Sequence, residues 1–247
     1  MNLLLTGLTQ KNRTINYPKT IPVLPERFRG LPVIDPAKCS ANCKLCMEAC
    51  PTDAIKEGMK IDLGRCLFCN KCIRACPQGA ISFSQEHRIA ARTRRDLVLK
   101  GSTLKLIEAL DKESLRIFGR SLKLREVSAG GCNACEADTN VLSTVAWDLG
   151  RFGVQFVASP RHADGLLITG PVTRNMRLAL EKTYEAVPSP KIVIAVGACA
   201  ISGGPYIDHP EVLNGADPVL PVDLYIPGCP PHPLTILDGI LRLLNRL

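Results

Sequence analysis

Residues 38–56 read KCSANCKLCMEACPTDAIK and residues 65–82 read RCLFCNKCIRACPQGAIS. These two segments decide the fold of the first half of the chain. Shifted by 26 residues, which places Cys43 on Cys69, they align at three cysteines, a proline, an alanine and an isoleucine. Eight of the twelve cysteines of the chain lie in the two segments. The repeat predicts two similar halves, related by a pseudo-twofold axis and built around cysteine side chains.

The spacing of these cysteines is typical of iron–sulfur sites. Cys66, Cys69, Cys72 and Cys76 follow the pattern C-x2-C-x2-C-x3-C with Pro77 behind it, in which three close thiolates hold one cluster and the fourth reaches a second cluster. Zinc needs only two such pairs and often uses histidine. A disulfide scaffold belongs to small exported domains, and the N-terminus lacks the features of an export signal. The segments therefore predict two [4Fe-4S] clusters.

The crossover rule then assigns the ligands. One cluster is predicted on Cys39, Cys43, Cys46 and Cys76, and the other on Cys50, Cys66, Cys69 and Cys72. This region resembles the two-cluster bacterial ferredoxins, with one departure. Three residues separate Cys39 from Cys43, where that family normally has two. The departure concerns the local geometry and the potential of the first cluster.

The second half of the chain alternates short apolar runs with amphipathic helical patterns. Near-continuous apolar strands between such helices predict a parallel sheet covered on both faces. The predicted strands are 122–127, 153–158, 165–169, 191–196 and 223–226, and the predicted helices lie within 137–149, 176–187 and 236–244, the last with Pro233 in its first turn. The fold class is therefore α/β, with an α+β ferredoxin-like domain followed by a doubly wound, flavodoxin-like domain.

The remaining four cysteines all follow predicted strands or the turns after them. They are Cys132, Cys135, Cys199 and Cys229. In an open parallel sheet, residues distant in sequence converge at the carboxyl ends of the strands. Four thiolates at one edge of the sheet predict a third [4Fe-4S] cluster, which would use the last cysteines of the chain.

Composition and charge give the domain boundaries and exclude some functions. The chain has 247 residues, 46% of them hydrophobic, and no apolar run long enough to cross a bilayer. The net charge of +8 is concentrated in residues 84–125, where few aromatic residues accompany the basic ones, so nucleic-acid binding is not expected. That stretch is interpreted as a solvated helical linker or as a docking face.

The predicted parts are an extended arm over 1–34, a two-cluster domain over 35–84, a basic helical linker over 85–120 and the α/β domain over 121–247.

Several strings identify a family resemblance. FGRSLKLREVSAGGCNACE, SPRHADGLLITGPVTR, GACAISGG and VDLYIPGCPPHP resemble the small subunit of group 4 energy-converting [NiFe]-hydrogenases, including formate hydrogenlyase. That family is similar to the cluster-bearing subunit of respiratory complex I beside its quinone site. Residues 17–83 resemble the ferredoxin-like subunit of the same complexes. The chain thus looks like a fusion of two neighbouring subunits.

The resemblance implies an electron-transfer oxidoreductase subunit with three [4Fe-4S] clusters. The implied partners are a [NiFe]-hydrogenase-type large subunit, membrane-arm subunits and a redox donor or acceptor protein. The implied location is the cytoplasmic side of the membrane, with peripheral association. Because the three clusters would use all twelve cysteines, nickel would bind in another subunit. The resemblance also implies that Glu136 faces the large subunit. We hypothesise that it relays protons there; the alternative is a carboxylate that stabilises a helix N-terminus.

Two other functions remain open. Complex I subunits carry adjacent cysteines where this chain has Cys132 and Cys135 separated by two residues, a pattern that favours hydrogenase. A complex I-like or nickel-free relative that delivers electrons to quinone is the first alternative. A protein with structural clusters or zinc, whose role is binding, is the second.

His87, His162, His209 and His232 are expected to be structural or surface residues, and the loop 203–221 is expected to contact a partner.

Overall fold

The computed structural model describes residues 3–10, 13–40, 43–100, 105–119 and 121–247. A short helix, α1, occupies Leu3–Gln10. The chain then forms a ferredoxin-like domain, a connecting segment and a parallel-sheet domain. The predicted fold class is confirmed in both domains.

The ferredoxin-like domain contains short elements arranged as two similar halves. Its elements are β1 (Pro32–Ile34), α2 (Leu45–Glu48), β2 (Ile55–Lys56), β3 (Lys60–Asp62), α3 (Lys71–Ala75) and β4 (Ile81–Phe83). Strand β1 pairs antiparallel with β4, and β2 pairs antiparallel with β3. The first strand lies within the predicted arm, so this domain begins at residue 32 and not at residue 35.

The C-terminal domain is built on a five-stranded parallel sheet. Its strands are β6 (Leu122–Ser128), β7 (Val154–Phe156), β8 (Gly165–Thr169), β9 (Ile192–Val196) and β10 (Leu224–Ile226). Their order is β7-β6-β8-β9-β10, which is the flavodoxin-like order 2-1-3-4-5. The strand order reverses between β6 and β8, and ligands of such sheets bind at the carboxyl ends of the strands at this point.

Helices cover both faces of this sheet. They are α5 (Ala134–Asn140), α6 (Arg174–Ala186), α7 (Gly197–Ser202) and α8 (Pro233–Leu243). The predictions of α6 and α8 are confirmed, whereas the helix predicted through residue 149 ends at Asn140 and continues only as separate 3-10 turns. Strand β8 is buried on both faces, because Leu166 and Ile168 pack in one core and Leu167 packs in the other.

The segment between the domains differs from its prediction. It contains a 3-10 turn at Arg94–Leu97, strand β5 (Val98–Lys100), which pairs with β3, and one helix, α4 (Lys112–Phe118). Residues 105–110 form no helix, so the helical prediction for them is wrong; Leu104 lies outside the described residues. Hydrogen bonds to the C-terminal domain explain the difference. Ala91 exchanges two backbone hydrogen bonds with Tyr225, and the Leu110 N–H donates to the Leu243 carbonyl.

The arm after α1 lies along the C-terminal domain. The Ile15 N–H donates to the carbonyl of Ala146 at 2.9 Å. The buried Tyr17 hydroxyl donates to Asp238 on α8 at 2.6 Å. Contacts of this kind order a proline-rich segment that has no core of its own. Within the described residues, no helix is long and apolar enough to cross a membrane.

Candidate functional site

The turns that carry the repeated cysteines depend on left-handed backbone conformations. In the second repeat, Phe68 and Asn70 have φ values of 51° and 63°, on either side of Cys69. Asparagine tolerates this region better than most residues, and a bulky residue such as phenylalanine adopts it only where the surroundings demand it. The two reversals wrap the chain tightly, so that the three closely spaced cysteines face one side.

The eight cysteines of the repeats surround two cavities. A cavity of about 490 Å³ is lined by Cys39, Cys43, Cys46 and Cys76. A smaller cavity is lined by Cys50, Cys66, Cys69 and Cys72. In each cavity, three cysteines come from one repeat and the fourth comes from the other, and the two sets are those assigned by the crossover rule. Ala41 and Asn42, which lengthen the turn after Cys39, lie outside the described residues.

The sulfur environments fit thiolate ligands of iron. Backbone N–H groups of Ala54 and Ala80 donate to the sulfurs of Cys50 and Cys76, each at 3.2 Å, at equivalent places in the two repeats. Hydrogen bonds to sulfur and burial are the features that set cluster potentials in proteins. No three His, Cys, Asp or Glu side chains of the described ranges converge on a single-ion position. The donors are soft and spread around cavities, which suits a cluster in which each thiolate binds a different iron.

Burial makes two thiols that line the second cavity weak acids. It is the main cause that raises the pKa of Cys66 to about 12 and that of Cys72 to about 11. Without a cation nearby, both side chains would keep their protons at neutral pH. Metal ligation requires the thiolate, so loading of this site must release protons, and it becomes easier as pH rises.

Replacing Cys76 with Ala tests the crossover between the repeats. Cys76 lines the cavity of the first repeat, although it lies in the second. We expect the spectroscopic signal of the first cluster to be lost and that of the second to remain. Electron paramagnetic resonance of the anaerobically reduced complex measures both, and Cys72→Ala is the matched control, since it should remove the opposite signal. Loss of the second signal alone in Cys76→Ala would contradict the assignment.

The four C-terminal cysteines meet at the carboxyl edge of the parallel sheet. Cys132 follows β6, Cys135 lies on α5, Cys199 lies on α7 after β9, and Cys229 follows β10. Burial is the main cause that raises the pKa of the Cys135 thiol, and negative charge on the other three cysteines raises it further. These charge effects accord with four thiols gathered at one edge of the sheet. Burial, followed by negative charge on Cys229, Cys132 and Glu136, raises the pKa of Cys199 to about 12.

Two glycines provide the space around these sulfurs. Gly197 has a φ of +90°, and a Cβ atom there would lie 2.5 Å from the Cys135 sulfur. At Gly204, with a φ of +55°, a Cβ atom would lie 2.7 Å from the Cys199 sulfur. Both glycines thus combine a left-handed backbone with the close approach of a sulfur. Sequence reasoning did not single them out, although the pattern of glycine after a buried strand was the available signal.

The second cavity of the ferredoxin-like domain adjoins this edge of the sheet. Burial is the main cause that raises the pKa of Cys229, charge on Cys132 adds to it, and charge on Cys69 of the other domain also contributes. A cavity of about 310 Å³ is lined by both Phe68 and Cys229. Arg29 of the arm closes this junction by donating to the Phe68 carbonyl at 2.7 Å. The second and third cysteine sets are therefore neighbours across the domain interface.

Glu136 lies at the point where the strand order reverses. It is 6% exposed, and its Oε1 accepts hydrogen bonds from Ser128 at the end of β6, at 2.5 Å, and from Thr169 at the end of β8, at 2.7 Å. Both hydroxyls were missed by sequence reasoning, because only the pairing of β6 with β8 brings them together. The carboxylate is thus bound to the sheet, directly beside the cysteine edge.

The four histidines have different surroundings. His232 caps α8 by accepting the Leu234 N–H at 3.1 Å, and its ring packs edge-on against Phe28 and Trp147. His87 is buried against Tyr17. His162 and His209 are exposed. Part of the loop 203–221 packs inward, since Leu220 is buried, and its role as a partner contact stays a prediction.

The chain joins a two-repeat ferredoxin-like domain to a flavodoxin-like domain that carries four cysteines at its ligand-binding edge. This combination defines an iron–sulfur electron-transfer protein. The family described as 4Fe-4S binding domain matches residues 32–56 and 59–82. The family described as NADH ubiquinone oxidoreductase, 20 Kd subunit, matches residues 132–243. The chain belongs to this second family and carries two 4Fe-4S binding repeats before it.

Curated relatives include hydrogenase and complex I subunits. The probable membrane-bound hydrogenase subunit mbhJ of Pyrococcus furiosus is 41% identical over 146 residues, which cover 59% of this chain and 87% of that protein. Formate hydrogenlyase subunit 7 of Escherichia coli is 43% identical, over 57% of this chain and 55% of that protein. An NADH-quinone oxidoreductase subunit of Clostridium beijerinckii is 43% identical, over 47% of this chain and 70% of that protein. The chain is an electron-transfer subunit of this group of oxidoreductase complexes.

Proposed function

We propose that the chain passes electrons between a redox partner and the nickel–iron site of a large subunit in a group 4 [NiFe]-hydrogenase complex of the formate hydrogenlyase type. Three [4Fe-4S] clusters, when bound by the twelve cysteines, would each accept and release one electron. Electron transfer is the chemistry that this cysteine set supports, because the ligation uses every thiol of the chain. The nickel site therefore belongs to a partner.

The arrangement of the three cysteine sets supports a linear path. Cys39 of the first set is exposed, which suits exchange with an external redox partner. Phe68, next to Cys69 of the second set, and Cys229 of the third set line one cavity at the domain interface. Cys132 of the third set is exposed at the sheet edge, which suits a large subunit docked there. In this path the second cysteine set would lie between the other two.

The observation that carries the hydrogenase assignment is the spacing of Cys132 and Cys135. The two residues between them include Asn133, with a φ of 69°, which turns the chain between the two sulfurs. Adjacent cysteines, which the family resemblance assigns to complex I subunits, leave no room for such a turn. The second candidate, delivery of electrons to quinone by a complex I-like or nickel-free complex, is favoured by the identity with the NADH-quinone oxidoreductase relative.

Metal analysis of the native complex distinguishes these functions. The complex would be isolated anaerobically by a tag on this chain, and iron, acid-labile sulfide and nickel would be measured. Three clusters contribute about twelve irons per chain with matching sulfide. Nickel together with this iron supports the hydrogenase, whereas full iron without nickel supports the quinone-linked alternative. Absence of sulfide would support a zinc or binding protein and overturn the proposal.

The proposed partners are the nickel-bearing large subunit, membrane-arm subunits and a redox donor or acceptor protein. We place the complex at the cytoplasmic side of the membrane, held there peripherally through those subunits. Relatives named as membrane-bound hydrogenase and NADH-quinone oxidoreductase subunits support this arrangement. Nickel and membrane-arm proteins should therefore co-purify with the tagged chain from solubilised membranes.

Glu136 is proposed as a proton relay between this chain and the large subunit. Its burial and its two hydroxyl partners hold it beside the third cysteine set. Glu136→Gln keeps the shape but cannot carry a proton, so we expect hydrogen turnover to fall by about 10²-fold or more, as for loss of other positioned acid–base groups. Iron content and cluster spectra should stay unchanged. Unaltered turnover, with intact clusters, would leave Glu136 a structural residue that joins β6 to β8.

A further inference from the structure

Arg29 of the arm lies at the junction between the second and third cysteine sets. Its Nη1 group donates to the carbonyl of Phe68 at 2.7 Å, within the turn between Cys66 and Cys69. The backbone N–H of the same Phe68 donates to the Cys66 sulfur at 3.4 Å. Arg29 and Cys229 also line the same cavity of about 310 Å³. One guanidinium group therefore adjoins both a ligand turn of the second set and a cysteine of the third.

The backbone of the arm is fixed on both sides of Arg29. Before it, the Phe28 ring packs edge-on against His232 of the C-terminal domain, with 5.3 Å between the ring centroids. After it, Gly30 is buried against the chain that follows β4. A Cβ atom at Gly30 would lie 2.1 Å from the Glu86 carbonyl oxygen, so this approach is possible only for glycine. These contacts place the exposed Arg29 side chain beside the Phe68 turn.

No carboxylate balances the charge of Arg29. No ion pair within the described ranges includes this arginine. Asp138 lines the same cavity but forms no ion pair with it. A guanidinium group keeps its positive charge at every pH that proteins meet. The junction therefore carries a permanent cation.

This cation distinguishes the second repeat from the first. Lysines line both cysteine cavities, with Lys44 and Lys56 at the first and Lys71 at the second. By contrast, no arginine side chain of the described residues donates to a backbone carbonyl of residues 38–56. Arg29 comes from outside the repeats and contacts only one of them in this way. It thus breaks the electrostatic symmetry of two otherwise similar sites.

We propose that Arg29 raises the reduction potential of the second iron–sulfur site and shifts electrons from the first site toward the second. Reduction adds one negative charge to a site, so a cation fixed nearby stabilises the reduced form. In this transfer one electron leaves the first site, which is oxidised, and reaches the second site, which is reduced; no proton is needed. The inference rests on the proposed electron path, and it names a residue that sets the balance between two of its sites.

Redox titration followed by electron paramagnetic resonance tests this role in the anaerobically isolated complex. In Arg29→Gln, the ratio of reduced to oxidised second cluster at a fixed potential should fall by about threefold to tenfold, which is a shift of up to about 59 mV for one electron. The potential of the first cluster should stay unchanged. Arg29→Lys keeps the charge and should restore most of the potential. The Cys72→Ala and Cys76→Ala variants identify which signal belongs to which cluster.

Arg151→Gln is the matched control. Arg151 also donates to a carbonyl of the arm, that of Tyr17, at 3.0 Å, but it lines none of the three cavities that contain cysteines. Its loss removes one positive charge and one attachment of the arm. We expect both potentials to stay unchanged in this variant. An equal shift in Arg151→Gln would mean that attachment of the arm, and not the charge of Arg29, sets the potential, and would overturn the inference.

Salt separates an effect of charge from an effect of structure. Because Arg29 is exposed, the difference in potential between the unsubstituted complex and Arg29→Gln should shrink at about 1 M salt, where the Debye length is about 3 Å. An unchanged second potential in Arg29→Gln, loss of the second signal, or no restoration by lysine would overturn the inference. These titrations do not depend on nickel. The expected shift in a nickel-free complex would support the role of Arg29 and contradict only the hydrogenase assignment.

Discussion

Replacing Gly197 with Ala is expected to prevent assembly of the proposed third cluster and to abolish electron transfer to the proposed large subunit. An alanine Cβ would lie 2.5 Å from the Cys135 sulfur, a distance that no real contact tolerates. The backbone φ of +90° adds strain for any residue with a Cβ. Either Cys135 or the turn after β9 must move, and both carry ligands of the proposed site.

The measurement is the iron content and turnover of the anaerobically isolated complex. We expect the loss of about four irons per chain. Turnover should fall by more than the roughly 10–100-fold that follows from altering groups around a metal ligand. Gly58→Ala is the matched control, because Gly58 also has a positive φ, of 74°, but its nearest neighbour is 3.9 Å away. Full iron content in Gly197→Ala would show that the sulfur is not held where the structure places it.

The second large effect is expected from Arg242→Ala on α8. Arg242 donates to the Oδ2 atom of Asp238, which is 1% exposed and also accepts from Tyr17. Removal of one partner from a buried ion pair leaves an uncompensated charge and costs about 3 kcal/mol. For a chain of this size, that cost lowers the unfolding temperature by roughly 6–12 °C. The substitution should also weaken the attachment of the arm, because the buried Tyr17 of the arm donates its hydroxyl to Asp238.

Thermal unfolding of the anaerobic complex, followed by circular dichroism, measures this change. Arg177→Ala is the matched control, since Arg177 and Glu181 form an ion pair of the same i,i+4 spacing on α6, with the arginine 58% exposed. Exposed pairs of this kind contribute about 0.5 kcal/mol or less. An equal fall in unfolding temperature in the two variants would contradict this prediction. It would mean that the buried pair of Arg242 and Asp238 contributes no more to stability than the exposed pair on α6.

Much of the fold could be predicted because its signals are local. The C-x2-C turns and the 26-residue repeat specify the ferredoxin-like domain, and the apolar runs at 165–169 and 191–196 match β8 and β9. The helix prediction for the connecting segment failed because long-range contacts, and not local signals, decide its structure. Its apolar spacing resembles a helix, but pairing of Ala91 with Tyr225 and of β5 with β3 binds its backbone elsewhere. Tertiary hydrogen bonds overrode the local pattern.

The candidate site shows the same division. Cysteine spacing alone predicted two cluster sites, and strand ends predicted that Cys132, Cys135, Cys199 and Cys229 would converge. Sequence reasoning did not find Gly197, Ser128 or Thr169 as parts of the site. Gly197 and Thr169 acquire their roles only through neighbours distant along the chain, namely Cys135 for Gly197 and Glu136 for Thr169.

The sequence by itself determined which atoms are available: twelve thiols in two repeats and a set of strand ends, enough to predict iron–sulfur electron transfer. Only the tertiary structure decided how these sites adjoin one another. The arm and the domain interface bring Phe68 and Cys229 to one cavity, and parallel pairing of β6 with β8 places Ser128 and Thr169 around Glu136. The physical reason is the distance along the chain over which each property is decided. Ligand type and turn geometry are properties of a few consecutive residues, whereas the distance between sites and the burial of a carboxylate depend on the packing of the whole chain.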